Sequence, residues 1–335
     1  MTSILKKSGL FVVVILAAFA LWSCGGDDDD NGTDPGPTTP RVTAVSAASA
    51  PNTVNSAQWN NATETQIEIT AISFTPKIAG PRSSVLATTD SIGVKAMVFN
   101  NTLYMRFDWA DATDDHWPRR FEMTGWSEPS PGDSLLLFLQ DTLTQFEDQL
   151  LMMFQENDST WDCWNWRRVT TGGGGLAEGM NIVNDVIDVD ENLSSAAVVR
   201  SNAINTQEPI YMQPDSSDRT DAYLLYESAK DTLDRESGGW TVGQLLAGVI
   251  VDSTLKSTPG NRNSQWDVDA VSTYAGGRHT VVLSRPLNTG HQDDMVFGPD
   301  QLVVVRLGVT NNANFSLTTG NTNQGFSQDF ELLLP

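Results

Sequence analysis

The stretch VKAMVFNNTLYMRFDWAD constrains the fold of this chain more than any other part of its sequence. Its two halves, Val94–Phe99 and Leu103–Trp109, carry apolar residues with the period of two that is typical of a half-buried β-strand. Asn100 and Asn101 stand between the halves, and asparagine tolerates the left-handed backbone of a two-residue hairpin turn. The stretch therefore predicts a β-hairpin, and a sheet must be built around it.

Short apolar runs between turn residues continue this pattern from about residue 50 onward. Further predicted strands are Ser134–Gln140, Asp148–Gln155, His279–Arg285, Gln301–Val309 and the terminal run DFELLLP, which is predicted to close a sheet edge. Helical periodicity is sparse, with Asp221–Leu233 the best short helix, and residues 190–265 are poor in apolar residues. We expect an all-β, antiparallel, immunoglobulin-like sandwich over residues 51–335, with long loops and few short helices.

The first residues have the pattern of an export signal. Lys6 and Lys7 precede the apolar run Gly9–Trp22, and LWSC (Leu21–Cys24) resembles the lipobox of bacterial lipoproteins. We expect residues 1–23 to be a signal peptide and Cys24 to be the lipidated first residue of the mature chain. A plain cleaved signal and an N-terminal membrane anchor are the alternatives.

Residues 24–50 are predicted to be a flexible spacer, because the segment begins with Gly, Asp, Pro and Thr and lacks a core-forming apolar run. The acidic run Asp27–Asp30 resembles the tethers of surface-exported lipoproteins in some Gram-negative phyla. We therefore expect the chain to be anchored by lipid to a bacterial membrane, most simply the outer membrane, and to face the periplasm or the cell surface.

Charge and cysteine content exclude several classes of function. The formal charge is −22, and loss of Lys6 and Lys7 with the signal peptide takes it to −24, so the surface repels nucleic acids. Cys24 and Cys163 are the only cysteines, which leaves no disulfide in a lipidated monomer. The sequence contains no C-x-x-C-H for covalent haem attachment, and no Ser-His-Asp or paired-carboxylate arrangement stands out, so we do not expect an enzyme.

The segment DCWNWRR (Asp162–Arg168) is the candidate for a binding function. Trp164 and Trp166 are two residues apart, so on a strand they face the same side and can form an apolar wall. The arginines that follow are suited to pair with acidic groups of a flat cofactor. The alternative is an aromatic plug in the core of a β-protein.

These segments, taken in chain order, resemble the haem-binding domain of the ethylbenzene dehydrogenase gamma subunit and of related DMSO-reductase-family subunits. The resemblance covers nearly all of residues 55–317 and is carried by SAQWNNA, the hairpin ending in LYMRFDWAD, FEDQLLMMF, DCWNWRR, GLAEGMNIVND, Trp266–Phe297 and VVVRLGVTNNANFS. It implies a β-sandwich that holds one b-type haem without a covalent bond. Methionine and a lysine or histidine are the axial ligands in this family, and the domain relays electrons to or from a redox partner protein.

Carried onto this sequence, the resemblance implies Met153 or Met152 as an iron ligand, since only one of the two can point inward from a strand. Arg168 or Arg285, with Arg167 as a further choice, would pair with the haem propionates. No lysine follows Lys256, so the second ligand position of the family falls to His291 in the loop TGHQDD. His279 stands where relatives usually have a tryptophan that packs in the core.

A second hypothesis is a binding module without haem. The beginning of the domain is also similar to carbohydrate-binding sandwiches in which exposed tryptophan faces stack on sugars. A deep slot with a methionine would favour haem, whereas an open face lined with indole rings would favour a sugar.

Overall fold

Strands make up most of the described part of the chain. The computed structural model describes residues 39–75, 77–79, 86, 88–116, 146–188 and 264–335, together with the backbone of five further strands at 121–127, 135–140, 211–214, 223–224 and 245–247. In chain order, β1 to β19 are Arg41–Thr43, Val45–Ser46, Thr65–Ala71, Ser91–Phe99, Thr102–Ala110, Phe121–Ser127, Leu135–Gln140, Gln149–Gln155, Thr160–Arg167, Leu176–Val183, Val186–Asp188, Tyr211–Pro214, Tyr223–Leu224, Leu245–Ala247, Val268–Ala275, Arg278–Pro286, Leu302–Thr310, Gln324–Ser327 and Phe330–Leu333. The helical elements described are the short 3₁₀ turns Ala57–Asn61, Gly172–Gly174 and Ser264–Trp266.

Ten of these strands form a closed antiparallel ring. Its order is β17, β18, β3, β4, β5, β16, β15, β10, β9, β8 and again β17. The predicted all-β antiparallel class is confirmed. The arrangement differs from the predicted immunoglobulin-like pair of open sheets, because β17 pairs with β18 and β19 on one side and with β8 on the other. A separate sheet has the order β13, β12, β14, β6, β7.

The hairpin predicted from the sequence is present. Strands β4 and β5 pair from Gly93 opposite Asp108 to Phe99 opposite Thr102. Asn100 and Asn101 have φ angles of 46° and 60°, so both adopt the left-handed backbone that a tight hairpin turn requires. This hairpin supplies two neighbouring strands of the ring.

The other predicted strands are found with bounds that shift by one residue, or by two at the end of the terminal run. The run DFELLLP forms β19, but this strand lies between β17 and β1, and β1 is therefore the strand beyond it. Strands β1 and β2 lie inside the segment 24–50 that was predicted to be a spacer, and the compact unit begins at Thr39. That prediction is thus wrong for residues 41–46, whose alternating Val42 and Ala44 are buried.

Several predictions concern residues outside the described part. The signal peptide, Cys24 and most of residues 190–265 lie there. The helix predicted at Asp221–Leu233 is wrong at Tyr223–Leu224, which form β13, and its remaining residues are not described. Within the described residues, no helix has the length and apolar character needed to span a membrane.

The core fills the ring because alternate residues of each strand point inward. On β5 these are Leu103, Met105, Phe107 and Trp109, all fully buried. A second apolar cluster covers the outside of β8, β9, β10 and β18 and includes Trp161. The functional candidates on β8 and β9 are therefore divided between the interior of the ring and this outer cluster.

Candidate functional site

Trp164 and Trp166 on β9 both point into the ring and are fully buried. Cys163, the residue before Trp164, faces the opposite way and lies in the outer cluster. The structure thus gives the two indoles the common face that strand alternation predicts.

Protein side chains cover the two indoles. Trp164 has the Phe154 ring centroid at 4.7 Å and the Phe297 centroid at 6.4 Å, both in edge-to-face geometry. Trp166 has the Trp109 centroid at 6.1 Å and the His279 centroid at 5.8 Å. The pair is therefore part of the packed interior of the ring.

The two methionines on β8 have different surroundings. Met152 lies opposite Trp164 on β9 and belongs to the interior cluster, whereas Met153 lies opposite Cys163 and belongs to the outer cluster. Both side chains are fully buried. Of the two alternatives left by the sequence, Met152 is therefore the one that points inward beside an indole.

Arg285 on β16 is the centre of a largely buried group of ionisable side chains. We name it the Arg285 cluster and define it as Arg285, Asp162, Asp294, Asp267 and His291. Arg285 donates two hydrogen bonds to Asp162, of 2.6 and 3.1 Å, and one to Asp294 of 3.1 Å. Its guanidinium carbon lies 5.0 Å from the centroid of Trp164. Burial works to lower the pKa of Arg285, but the carboxylates of Asp162 and Asp294 raise it on balance, so the residue stays charged.

The open side of this cluster is formed by His291 and Asp267. His291 Nδ1 lies 3.1 Å from Asp294 Oδ2 and 3.4 Å from Asp267 Oδ2, and the His291 side chain is 29% exposed. Burial raises the pKa of Asp267 to about 9, and the neighbouring Asp294 and Asp162 add to this while Arg285 opposes it. His291, predicted as an iron ligand, is thus held among carboxylates at the edge of the ring.

A second buried group lies beside Trp166 and is named the His279 cluster, defined as His279, Asp148, Asp111 and Asp115. His279 Nε2 lies 3.0 Å from Asp148 Oδ2, and its ring stacks on Trp109 with centroids 5.0 Å apart. Burial, with a smaller contribution from Arg168, lowers the pKa of His279 to about 3, so the ring is neutral. His279 therefore occupies the packing position that the sequence suggested for it.

The carboxyl groups of this cluster have raised pKa values. Burial is the main cause that raises the pKa of Asp111 to about 7 and that of Asp148 well above its usual range. Asp148 Oδ2 accepts a hydrogen bond of 2.7 Å from the backbone of Asp115, and Asp111 Oδ1 accepts one of 2.7 Å from Asn311. Buried acids of this kind hold protons at pH values where a surface carboxyl has lost them.

The remaining predicted cations are also paired. Arg168 forms a two-pronged ion pair with Asp114, and Arg167 Nη2 lies 3.1 Å from Glu178. With Arg285 bound to Asp162 and Asp294, each arginine proposed for haem propionates already has a protein carboxylate as partner.

Sequence reasoning missed the acids that hold these arginines. Asp162 lies inside a strand of largely apolar residues, and a charged residue inside a core strand needs a partner. Its position in the sequence could therefore have indicated a buried ion pair. Its partner Arg285 is 123 residues away in the chain, and no local pattern connects the two.

A haem requires a slot with apolar walls, a reachable ligand and partners for two propionates. Met152 and Trp164 do share one inner face. However, both are fully enclosed by other side chains, and the predicted arginines and His291 are bound to carboxylates. As arranged in the described part of the chain, the predicted residue set does not fit a haem.

Comparison with known proteins gives a family match and distant structural neighbours. The family model described as ethylbenzene dehydrogenase matches residues 56–316. No curated protein matches the sequence. A solved structure described as "a putative carbohydrate-binding protein from Bacteroides uniformis" shares 5% identity and has a TM-score of 0.36, with 88% of this chain and 91% of that chain covered. This likeness is too weak to bear on function.

Proposed function

Because the chain belongs to the ethylbenzene dehydrogenase family, we propose that it is a non-catalytic member that serves electron transfer or haem carriage through a non-covalent b-type haem. The family match is the observation that supports this proposal. It runs from the 3₁₀ turn at Ala57–Asn61 to just beyond β17, and so includes nine of the ten ring strands, all but β18. The haem is proposed as b-type because the sequence contains no C-x-x-C-H, and the partner is proposed to be a redox protein.

The packed interior favours a second candidate function, a binding module without haem. Trp164, Trp166 and Met152 are covered by protein, and this is how a core would look if it had no cofactor to hold. The described tryptophans do not form an open sugar platform either, because Trp59, Trp109, Trp161, Trp164, Trp166 and Trp266 are all buried. A carbohydrate would therefore have to be recognised by other residues.

Haem titration of the full chain in detergent separates the two candidates. If the haem proposal holds, added haemin gives a saturable Soret band, reduction gives b-type α and β bands, and acid-ketone extraction removes the pigment completely. The near-ultraviolet circular dichroism of the same sample verifies that the core is folded. A folded protein that shows no saturable spectral change would rule out the haem proposal and leave the haem-free module.

Met152 and Met153 form a matched pair that tests the ligand assignment. Both are buried, so replacement by alanine should cost about 2–5 kcal/mol of unfolding free energy in either case. The packing around Met152 predicts that neither variant changes the spectrum of a haem-loaded sample. A low-spin to high-spin change confined to Met152→Ala would instead show that the ring interior opens and that Met152 ligates iron.

The proposed location outside the cytoplasm is tested separately. We propose that Cys24 is lipidated and that the lipid is the only membrane attachment. Cys24→Ser should then move the protein from the detergent phase to the soluble extracytoplasmic fraction in a phase-partitioning experiment. Unchanged partitioning of the Cys24→Ser variant would contradict the lipid anchor.

A further inference from the structure

The carboxylate of Asp267 has no hydrogen-bond donor, although the residue is 91% buried. Both of its oxygens are shielded from solvent and accept no hydrogen bond, which is rare for a buried carboxylate because desolvation is left without compensation. Its contact with His291 Nδ1, at 3.4 Å, is longer than a hydrogen bond. Asp294 is a side-chain hydrogen-bond partner of Asp267 only while one of the two acids holds a proton, and the charge of Arg285 acts on Asp267 without a hydrogen bond. An ionised Asp267 therefore lacks a direct positive partner.

The atoms around Asp267 are those that a metal ion needs. One oxygen of Asp267, one of Asp294 and a nitrogen of His291 all lie within 4.8 Å of one another. Asp294 is fixed by Arg285, which donates to Oδ1, and by Thr289, which donates a 2.6 Å bond to Oδ2. His291 is partly exposed, so an ion can enter from solvent on its side of the cluster.

The charges of the Arg285 cluster also favour binding of a cation. Asp162, Asp267 and Asp294 are three carboxylates that share the single guanidinium of Arg285. When all three are ionised, the carboxylates exceed the guanidinium by two negative charges. A divalent cation would neutralise them.

We propose that Asp267, His291 and Asp294 bind a divalent transition-metal ion of the zinc type. An imidazole nitrogen with two carboxylate oxygens is a ligand set that suits such ions, and the fourth position would face solvent and hold water. Calcium and magnesium are disfavoured because they prefer oxygen ligands alone. This inference does not rest on the haem proposal, and it assigns His291 to the ion rather than to a haem iron.

The His279 cluster has a similar composition but is the weaker site. Asp111, Asp148 and His279 also bring ligand atoms within 4.8 Å of one another. However, Asp148 Oδ2 already accepts hydrogen bonds, and all three side chains are buried, so the cluster offers no exposed ligand through which an ion would enter. A shared proton is the simpler solution there.

Zinc titration of the haem-free full chain in detergent tests the proposal. The protein is stripped with a chelator, and excess Mg²⁺ is added so that surface carboxylates are occupied. We expect one Zn²⁺ per chain with saturable binding, and at least a tenfold loss of affinity in Asp267→Asn and in His291→Gln. The control His116→Gln removes another partly exposed histidine outside the Arg285 cluster and should bind as the wild type does.

Thermal unfolding gives a readout that a purely structural role would not produce. Without metal, Asp267→Asn should leave the unfolding temperature close to that of the wild type, because the amide can donate to Asp294 as a protonated Asp267 does. With Zn²⁺, the wild type should gain stability while Asp267→Asn should gain none. The proposal is overturned if the wild type binds no stoichiometric zinc, if both variants bind normally, or if binding is lost only in Asp111→Asn.

Discussion

At the level of single residues, the most unusual feature of this protein is its buried ion pairs. Arg285 and Asp162 are both fully enclosed, and each depends on the other for compensation. Removing one member of such a pair leaves an uncompensated charge in the core, which is far more costly than losing an exposed pair. Two arginines on β16 allow this difference to be measured.

Arg285→Met should lower the unfolding free energy by about 3–5 kcal/mol, since Asp162 and Asp294 would lose their cation. The matched control is Arg278→Met at the other end of β16, where Arg278 is half-exposed and pairs with Asp108. That change should cost no more than about 1 kcal/mol. Equal losses in urea denaturation of the two variants would contradict the role assigned to Arg285.

The pKa of Asp111 predicts a pH effect of definite sign. Its pKa is raised from 3.8 to about 7, chiefly by burial, so the folded protein holds a proton that the unfolded chain releases. The resulting stabilisation is complete below about pH 4 and is lost as the pH rises through 7. Asn cannot ionise, so Asp111→Asn should become more stable relative to the wild type across this window, by at most about 1.4 kcal/mol per pH unit.

Chemical denaturation of both proteins at pH 4 to 8 measures this difference. Asp158→Asn provides the control, because Asp158 is exposed in the turn between β8 and β9. A difference between wild type and Asp111→Asn that does not change with pH would show that Asp111 ionises normally.

Secondary-structure elements were well predicted wherever the determining signal is local. The β4–β5 hairpin needed only the alternation of its strands and the two asparagines of its turn. The same alternation placed Trp164 and Trp166 on one face of β9. Strands β1 and β2 were missed because they are short and follow a polar segment, so their strand structure depends on pairing with β19 and β4.

The turn of the β4–β5 hairpin gives a prediction about this element. Asn101 has a φ of 60°, which β-branched residues rarely adopt. Asn101→Val should therefore cost about 1–2 kcal/mol of unfolding free energy. Asn101→Gly should be neutral or slightly stabilising, because glycine adopts positive φ readily. If both variants unfold at the same denaturant concentration, the turn does not have the backbone described.

Closure of the ring is a property of the whole molecule. Strand β18 connects β17 to β3, and β17 also pairs with β8, which completes the circuit. Pairing with β8 covers Val305–Thr310 of β17, and unpaired strand edges are open to aggregation. The family match ends at residue 316 and so does not include β18.

A chain truncated after Ser316 should therefore lose its cooperative unfolding transition although it keeps the entire family match. The truncation removes β18, whose Phe326 is fully buried, and β19, which covers the end of β17. A chain that lacks only the exposed Pro335 is the control and should unfold as the intact protein does. A truncated protein with the original melting temperature in circular dichroism would contradict ring closure as a source of stability.

The all-β antiparallel class, the positions of several strands and the family could be predicted from the sequence, because alternation, turn residues and motif order are all local along the chain. Tertiary structure decided how the strands close and what the candidate residues touch. Met152 rather than Met153 points inward, Arg285 pairs with Asp162, and His291 lies against Asp267 and Asp294. Burial and electrostatic pairing depend on distances in space, and these are fixed only when strands far apart in the chain are brought together.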